Sequence, residues 1–535
     1  MNKKETITVA CLVLFAACLP LFTVNCITGH DTIYHLLRIE SLKTGIENGL
    51  PFLRINMLFF NGQGYASSLF YPDIFLLFPA LLRVFGVGIN ASFNIFIALC
   101  IAAGFASAFY CMYTVSSDRT SALVFAMIFT LFRYHIFDVY VRGAAGEFTA
   151  MIFVPFVIAG LYDLVFSDFK KPWLLVIGMS GVILTHTITT VLCTVLCVVV
   201  FAAGIRHVIK DAKKMKNLLL CVLAVVILTA FYVFPMIEMI LSTDFSLSEA
   251  VFDLNNEKLL IKDIFSLSGP SMGVAVFIPL LLRIYIKKEK DDRLISFADI
   301  CMISGLAACL FTTGFFPWKR LENYLYQIQF PWRLFVIAGP LLAFSGAVYL
   351  KHITDSSIIK EKTAVLAAFS LMFISVVWSF GKPGMEYYSY SDDYFSYPAY
   401  TAEVIGGEWL PSSVTDRDLL TDTADTAFDD NGNTLSVSRR KNTLTVDGIA
   451  PGASYIDVPF VYYKGYTAAD GSGKKLRTDG SGRNGQVRVY TNGASIVTVR
   501  YSGTPLQHIS TALSLLFAAA AAAFFILRGC KGKKK

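Results

Sequence analysis

The chain has 535 residues, of which 55% are hydrophobic and only 16% charged, whereas a globular protein carries about 25% charged residues. Its apolar runs reach roughly 18–22 residues, the length that crosses about 30 Å of hydrocarbon, so a set of soluble domains is excluded and the bilayer is the main solvent. The net charge of +7 does not point to nucleic acid, because Lys and Arg gather in short loops between apolar runs, where they record membrane orientation.

In chain order, spans are expected near 6–26, 92–114, 120–134, 148–166, 172–187, 188–206, 217–237, 271–287, 297–316, 333–350, 363–381 and 508–528. That makes an α-helical polytopic membrane protein with about 12 transmembrane helices. The first run follows Lys3 and Lys4 and continues apolar past Cys18, which suits an uncleaved anchor better than a signal peptide. With Lys3 and Lys4 inside, the basic loops all fall on one side. They hold Arg119; Lys170 and Lys171; Arg206 to Lys216; Arg283 to Arg293, with Lys288 and Lys290; Lys351 to Lys362; and the tail Arg528 to Lys535. The positive-inside rule then makes both termini cytoplasmic. Residues 70–86 are apolar but contain Pro72, Asp73, Pro79 and Arg83. A span there would invert every later loop, so this stretch is expected to be re-entrant or interfacial.

Three parts follow: a transmembrane module over 1–381 with an outer-face loop at 27–91, an extracytoplasmic domain over 382–505, and a last helix with a basic tail over 506–535. Most of the eleven cysteines lie in apolar segments, where they act as small hydrophobes. None lies in 382–505, so that domain stands without disulfides. Alternating runs at Thr434–Ser438, Thr443–Asp447, Tyr455–Tyr463, Gln486–Tyr490 and Ser495–Tyr501, punctuated by Asn-Gly turns, predict a β-sandwich near the C-terminus.

The unusual polar residues gather on the outer side. After the first span come Gly29, His30 and Asp31; His35 and Arg38 follow four and seven positions after Asp31, so a helix would present all three on one side. A carboxylate beside His and Arg can deprotonate a hydroxyl and hold an anion. An interfacial helix with Asp31 as N-cap reads equally well. A second group is His135, Asp138, Arg142 and Glu147, with Gly143 to Gly146 allowing close backbone approach. Glu147 also suits a helix N-terminus, while Arg142 runs against the orientation rule. His186 sits in a turn between two spans, where a local hydrogen-bonding role is at least as well supported as a catalytic one. Trp332 reads as an interfacial anchor, and Arg333 beside it at a helix mouth as a lipid-phosphate ligand or a boundary cation. No P-loop, dinucleotide fingerprint or nucleophile elbow is present.

The layout resembles the GT-C superfamily of membrane glycosyltransferases: Asp31 matches the acidic residue that opens the first outer loop, and Arg142 to Glu147 the second acidic loop. Across essentially the whole chain, the sequence is also similar to bacterial membrane proteins known as 6-pyruvoyl-tetrahydropterin synthase-related and to their YfhO-like relatives. That similarity is carried by Gly29-His30-Asp31 with His35 and Arg38, Tyr65 to Asp73, Arg142 to Glu147, Gln329 to Arg333, Gly407 to Pro411 and Tyr462 to Tyr466. The GT-C resemblance implies transfer, with inversion, of a sugar from a polyprenyl-phosphate donor in the membrane lipid to a cell-envelope glycopolymer or glycolipid acceptor. It makes Asp31 the base or the carboxylate that orients the acceptor, with His35 and Glu147 beside it, and assigns substrate contacts to His30, Arg38, Arg142, His186, Trp332 and Arg333. A divalent cation is the cofactor it would bring, although the second loop carries one Glu where the family pairs two acids. Tyr387, Tyr388, Tyr390, Tyr394 and Tyr397 would stack on acceptor sugars or sit at the interface. A transporter or flippase of lipid-linked sugars would show polar midplane helices and repeats. A non-catalytic assembly protein would tolerate changes at Asp31 and Arg142.

Overall fold

The computed structural model describes residues 1–50, 52–246, 253–287, 292–380, 385–396 and 407–532. Lys288, Lys290, Tyr397 and Lys533 to Lys535 of the sequence reading lie outside them. The chain divides into two compact units, one of residues 1–32, 90–225 and 250–390, the other of 33–89, 226–249 and 391–535.

Nine helices among the described residues are long and apolar enough to cross a membrane, or ten if a bent pair counts as one span. Three expected spans account for the difference from 12. The run at 120–134 breaks at Phe132, whose extended backbone (ψ 146°) ends the helix Arg119–Leu131 and starts a second piece, Arg133–Arg142, at 44°. The run at 172–187 yields an eleven-residue helix, Trp173–Ile183. The run at 271–287 holds only a short 3₁₀ stretch, Ile278–Tyr285, preceded by Gly269 and Gly273 at positive φ. Hydropathy carries none of these backbone breaks. Several helices start on side-chain caps that satisfy otherwise orphaned N–H groups: Asn2 with Glu5, Asp118 and Asp292.

In the first unit the helix Phe335–Asp355 is enclosed by protein: every residue from Phe335 to Leu350 is buried. Neighbours approach it closely through small residues: a Cβ at Gly305 would strike Leu342, and one at Gly339 would strike Phe132. By contrast, the helix Thr187–Ile209 exposes Val191, Val195, Val198 and Val199, the surface a lipid-facing helix presents. Strand β1 (Cys26–Thr28) pairs antiparallel with β2 (Glu386–Tyr388). Tyr390 there is buried against Thr28, whereas Tyr387 and Tyr388 are about half exposed.

In the second unit, Ser67–Phe70 and Leu77–Val84 are short helices, neither long enough to span. Nine strands form one sheet: β3 (Thr426–Asp429), β4 (Thr434–Arg440), β5 (Thr443–Asp447), β6 (Tyr455–Val461), β7 (Tyr466–Asp470), β8 (Lys475–Leu476), β9 (Thr478–Asp479), β10 (Gln486–Tyr490) and β11 (Ile496–Tyr501). Their order is β8-β7-β11-β5-β4-β3-β6-β10-β9. The sequence predicts a β-sandwich here; β4 pairs with β3 through residues 434–436 and with β5 through 437–440, so the two halves run on as one sheet. The Thr478 hydroxyl donates to the Tyr466 carbonyl at 3.2 Å, which nearly closes it. Alternation puts Leu444, Val446, Val487, Val489, Val497 and Val499 fully inside. The loop from residue 33 to 89 joins this core: Gln63 accepts from Val461 N–H at 2.9 Å, and its side-chain oxygen accepts from Gln486 at 2.7 Å.

Candidate active site

The break at Phe132 positions the site. The helix Arg133–Phe137 widens into a π-helical turn, Asp138–Arg142, which Gly143 ends at φ 64°. Such turns recur at functional sites because they splay side chains a regular helix would stack. The next helix, Ala145–Met151, carries Glu147 in its first turn, where the backbone dipole favours an anion. Against this turn lies the segment before the helix Thr32–Glu47. His30 N–H donates to Val141 carbonyl at 3.2 Å and Asp31 N–H to Arg142 carbonyl at 2.8 Å. Glycine makes this approach possible, since a Cβ on Gly29 would sit 2.5 Å from the Arg142 carbonyl carbon and one on Gly143 would strike the Thr32 hydroxyl.

Arg142 is the hub. Its Nη1 donates to Asp138 Oδ1 at 3.0 Å and Glu147 Oε2 at 2.7 Å, and its Nη2 reaches Asp31 Oδ2 at 3.4 Å. Asp138 and Glu147 are fully buried, while 41% of the Asp31 side chain stays exposed. Arg333 Nε lies 3.2 Å from Glu147 Oε2, and its Nη1 is held by Ile328 carbonyl at 3.0 Å and Gln329 Oε1 at 2.5 Å. Three carboxyl groups face two guanidinium groups. The cluster is therefore an organised acid site with one carboxylate open to solvent. Trp332 is buried beneath it, with Arg142 5.0 Å above its ring, a cation–π contact rather than a membrane-belt position.

The structure brings Asp31, Arg142, Glu147, Trp332 and Arg333 together, and leaves His30 exposed beside them. His186 caps the helix Thr187–Ile209, its Nδ1 accepting from Thr189 N–H at 3.3 Å and pairing with Thr189 Oγ1 at 2.8 Å.

Arg38 and His35 do other work. Arg38 is 1% exposed and forms an ion pair with Asp73, while its Nη2 also donates to the carbonyls of Tyr71 at 2.9 Å and Pro72 at 2.8 Å. His35 Nδ1 faces Arg38 Nη1 at 3.2 Å. The carboxylate partner of Arg38 is Asp73, which pins residues 71–73 to the helix Thr32–Glu47. His135, expected beside Asp138, instead holds the Thr130 carbonyl at 3.0 Å and packs on Phe129 and Phe132. Sequence reasoning missed Tyr134, whose hydroxyl donates to Glu147 Oε1 at 2.5 Å. Its only signal was its place next to the break. For a divalent cation the donor set does not fit. Asp138 and Glu147 are turned onto guanidinium groups, and no cluster of three His, Cys, Asp or Glu among the described residues is placed to hold a metal.

Fold and site together define a polytopic helical membrane protein with a buried acid–arginine cluster at a helix break. Over residues 6–253 the chain matches the model of a family described as a family of unknown function (DUF6541). It is similar to an uncharacterized protein of Lactococcus lactis subsp. cremoris (strain MG1363), at 24% identity over 343 residues, covering 59% of this chain and 55% of that one. Among solved structures it is similar to the mycobacterial arabinofuranosyltransferase AftD, at 14% identity and a TM-score of 0.46 over 71% of this chain and 26% of that one. It is also similar to the Archaeoglobus fulgidus oligosaccharyltransferase in the apo form, at 12% identity and a TM-score of 0.39 over 77% and 61%. The chain spans about half the length of the curated relative it matches. At such TM-scores the structural likenesses carry no argument.

Proposed function

We propose that this chain is a membrane glycosyltransferase of the GT-C kind, moving a sugar from a polyprenyl-phosphate donor to a cell-envelope acceptor on the extracytoplasmic side, with both termini cytoplasmic. The observation that carries it is the asymmetry of the acid cluster: two carboxylates are locked away on Arg142 while Asp31, anchored through its own backbone, keeps an oxygen open. Side-by-side placement on a rigid hub is what general-base chemistry needs. The resemblance of the first and second acidic loops to GT-C enzymes supports the same reading.

In this mechanism the acceptor hydroxyl gives its proton to Asp31 as its oxygen bonds to the anomeric carbon. The bond from that carbon to the donor phosphate oxygen breaks on the opposite face, and the phosphate leaves with the electron pair, inverting the configuration. Arg142 positions Asp31 and is held by three carboxyl groups, so within the cluster Arg333, which contacts only Glu147 among them, is the cation available to the leaving phosphate. No metal enters any step.

A direct test reconstitutes the full chain in liposomes with lipid-linked sugars extracted from the cells that make it, and follows polyprenyl monophosphate by mass spectrometry. Asp31→Asn keeps the size and the backbone anchors of the residue and should lower turnover about 10²–10⁴-fold, the usual contribution of a positioned base. Turnover equal to the parent protein would sink Asp31 as base.

A further inference from the structure

We propose that Arg133, together with Ser271 and Ser379, forms a binding site for a phosphate monoester, separate from the acid cluster. The site stands whether or not the chain transfers sugars. Arg133 is 5% exposed at the helix break. Its Nε donates to Ser271 Oγ at 2.9 Å, its Nη1 to Ser379 Oγ at 2.6 Å and its Nη2 to the Gly269 carbonyl at 3.3 Å. Every one of these acceptors is neutral. The Ser271 hydroxyl spends its proton on the Ser266 carbonyl at 2.8 Å, and the Ser379 hydroxyl on the Ser375 carbonyl at 2.7 Å. No carboxylate among the described residues pairs with Arg133, in contrast to Arg38, Arg83, Arg142 and Arg333, each of which has one.

A guanidinium group cannot shed its charge, and burying one in a membrane protein costs at least about 2.5–3.5 kcal/mol. The C-terminal end of the helix Glu361–Phe380, where Ser379 sits, offsets only part of this, about half a charge at most. Three of the five N–H donors are used, and two remain for a ligand. The loop that carries Ser271 packs on this side chain at Gly273, whose φ of 70° favours glycine and where a Cβ would stand in ordinary contact, 3.4 Å from Arg133 Cβ. Ser268 and Gly269 of the same loop are exposed, and it is the Gly269 carbonyl that Nη2 reaches. A guanidinium group held in place by hydroxyl oxygens, free of acids and with two N–H groups left over, matches the oxygens of a phosphate. The same chemistry could come from a lipid head group or from free phosphate.

The test uses the full chain in phosphatidylcholine nanodiscs, probed in one arm with phosphatidic acid in the disc and in the other with inorganic phosphate in solution, bound species being read by native mass spectrometry. Arg133→Gln is expected to weaken binding about tenfold to a hundredfold, the loss of a hydrogen bond to a charged group. Arg133→Lys should fall between. A drop for phosphatidic acid alone assigns the site to a lipid, and a drop for both assigns it to the bare phosphate group. Ser271→Asp guards against misfolding: it supplies an internal carboxylate, so it should raise the unfolding temperature while abolishing probe binding. If neither probe binds the parent protein, or if Arg133→Gln and Ser271→Asp bind as the parent does, the proposal is overturned and Arg133 is a structural strut.

Discussion

Replacing Glu147 by Gln is expected to destabilise the helical unit by about 3–5 kcal/mol, the cost of removing one partner of a buried ion pair. The side chain is fully buried, accepts from the Tyr134 hydroxyl and Arg142 Nη1, and pairs by charge with the Arg333 guanidinium at 3.2 Å. Glutamine keeps the volume but removes the charge, and its amide nitrogen would face a donor. Two guanidinium groups would then share the Asp138 and Asp31 carboxylates. Thermal and denaturant unfolding in detergent would measure the loss. A change under about 0.5 kcal/mol, the range of ordinary surface substitutions, would mean that the cluster is not the electrostatic keystone described.

Arg142→Gln is expected to be at least as severe, on the order of 3–5 kcal/mol, and to abolish transfer as well. Without the guanidinium, Asp138 and Glu147 face each other in the interior with Asp31 close by, like charges that the low local dielectric does not screen. Arg142→Lys should recover little, because one ammonium cannot reach the two sides that Nη1 and Nη2 serve. The diagnostic is the double variant: adding Asp138→Asn to Arg142→Gln removes one of the opposed charges and should restore part of the stability without restoring transfer. If the second substitution gives no recovery, or adds to the loss as an independent site would, the three carboxylates are not coupled through Arg142.

Much of the fold was legible because a bilayer imposes a simple length rule. The long apolar runs at 92–114, 188–206, 217–237 and 333–350 all became long helices. The failures sit where backbone geometry, not hydropathy, decides. Phe132 is as apolar as its neighbours, yet it ends one helix, and the glycines at 269 and 273 leave only eight residues of 3₁₀ helix in a run that looked like a span. Strand alternation located β4, β5, β6, β10 and β11 to within a few residues, but the pairing of β4 with two partners depends on register, which alternation does not encode. At the site, the chemistry of Asp31, Arg142, Glu147 and Arg333 could be read from residue type and boundary position. Their mutual contacts could not, because Asp31 is 111 positions from Arg142. Arg38 shows the same limit: its carboxylate partner, Asp73, lies 35 positions away, beyond the reach of helical spacing.

The most direct measurement is mass spectrometry of surface glycolipids and wall polymers from cells carrying the parent protein, Asp31→Asn or no copy, with protein levels matched. The account predicts that the deletion and Asp31→Asn lose the same sugar-sized mass from the same envelope component. An envelope in which Asp31→Asn matches the parent while the deletion differs would contradict it, and would leave the acid cluster a structural element of a carrier or assembly protein.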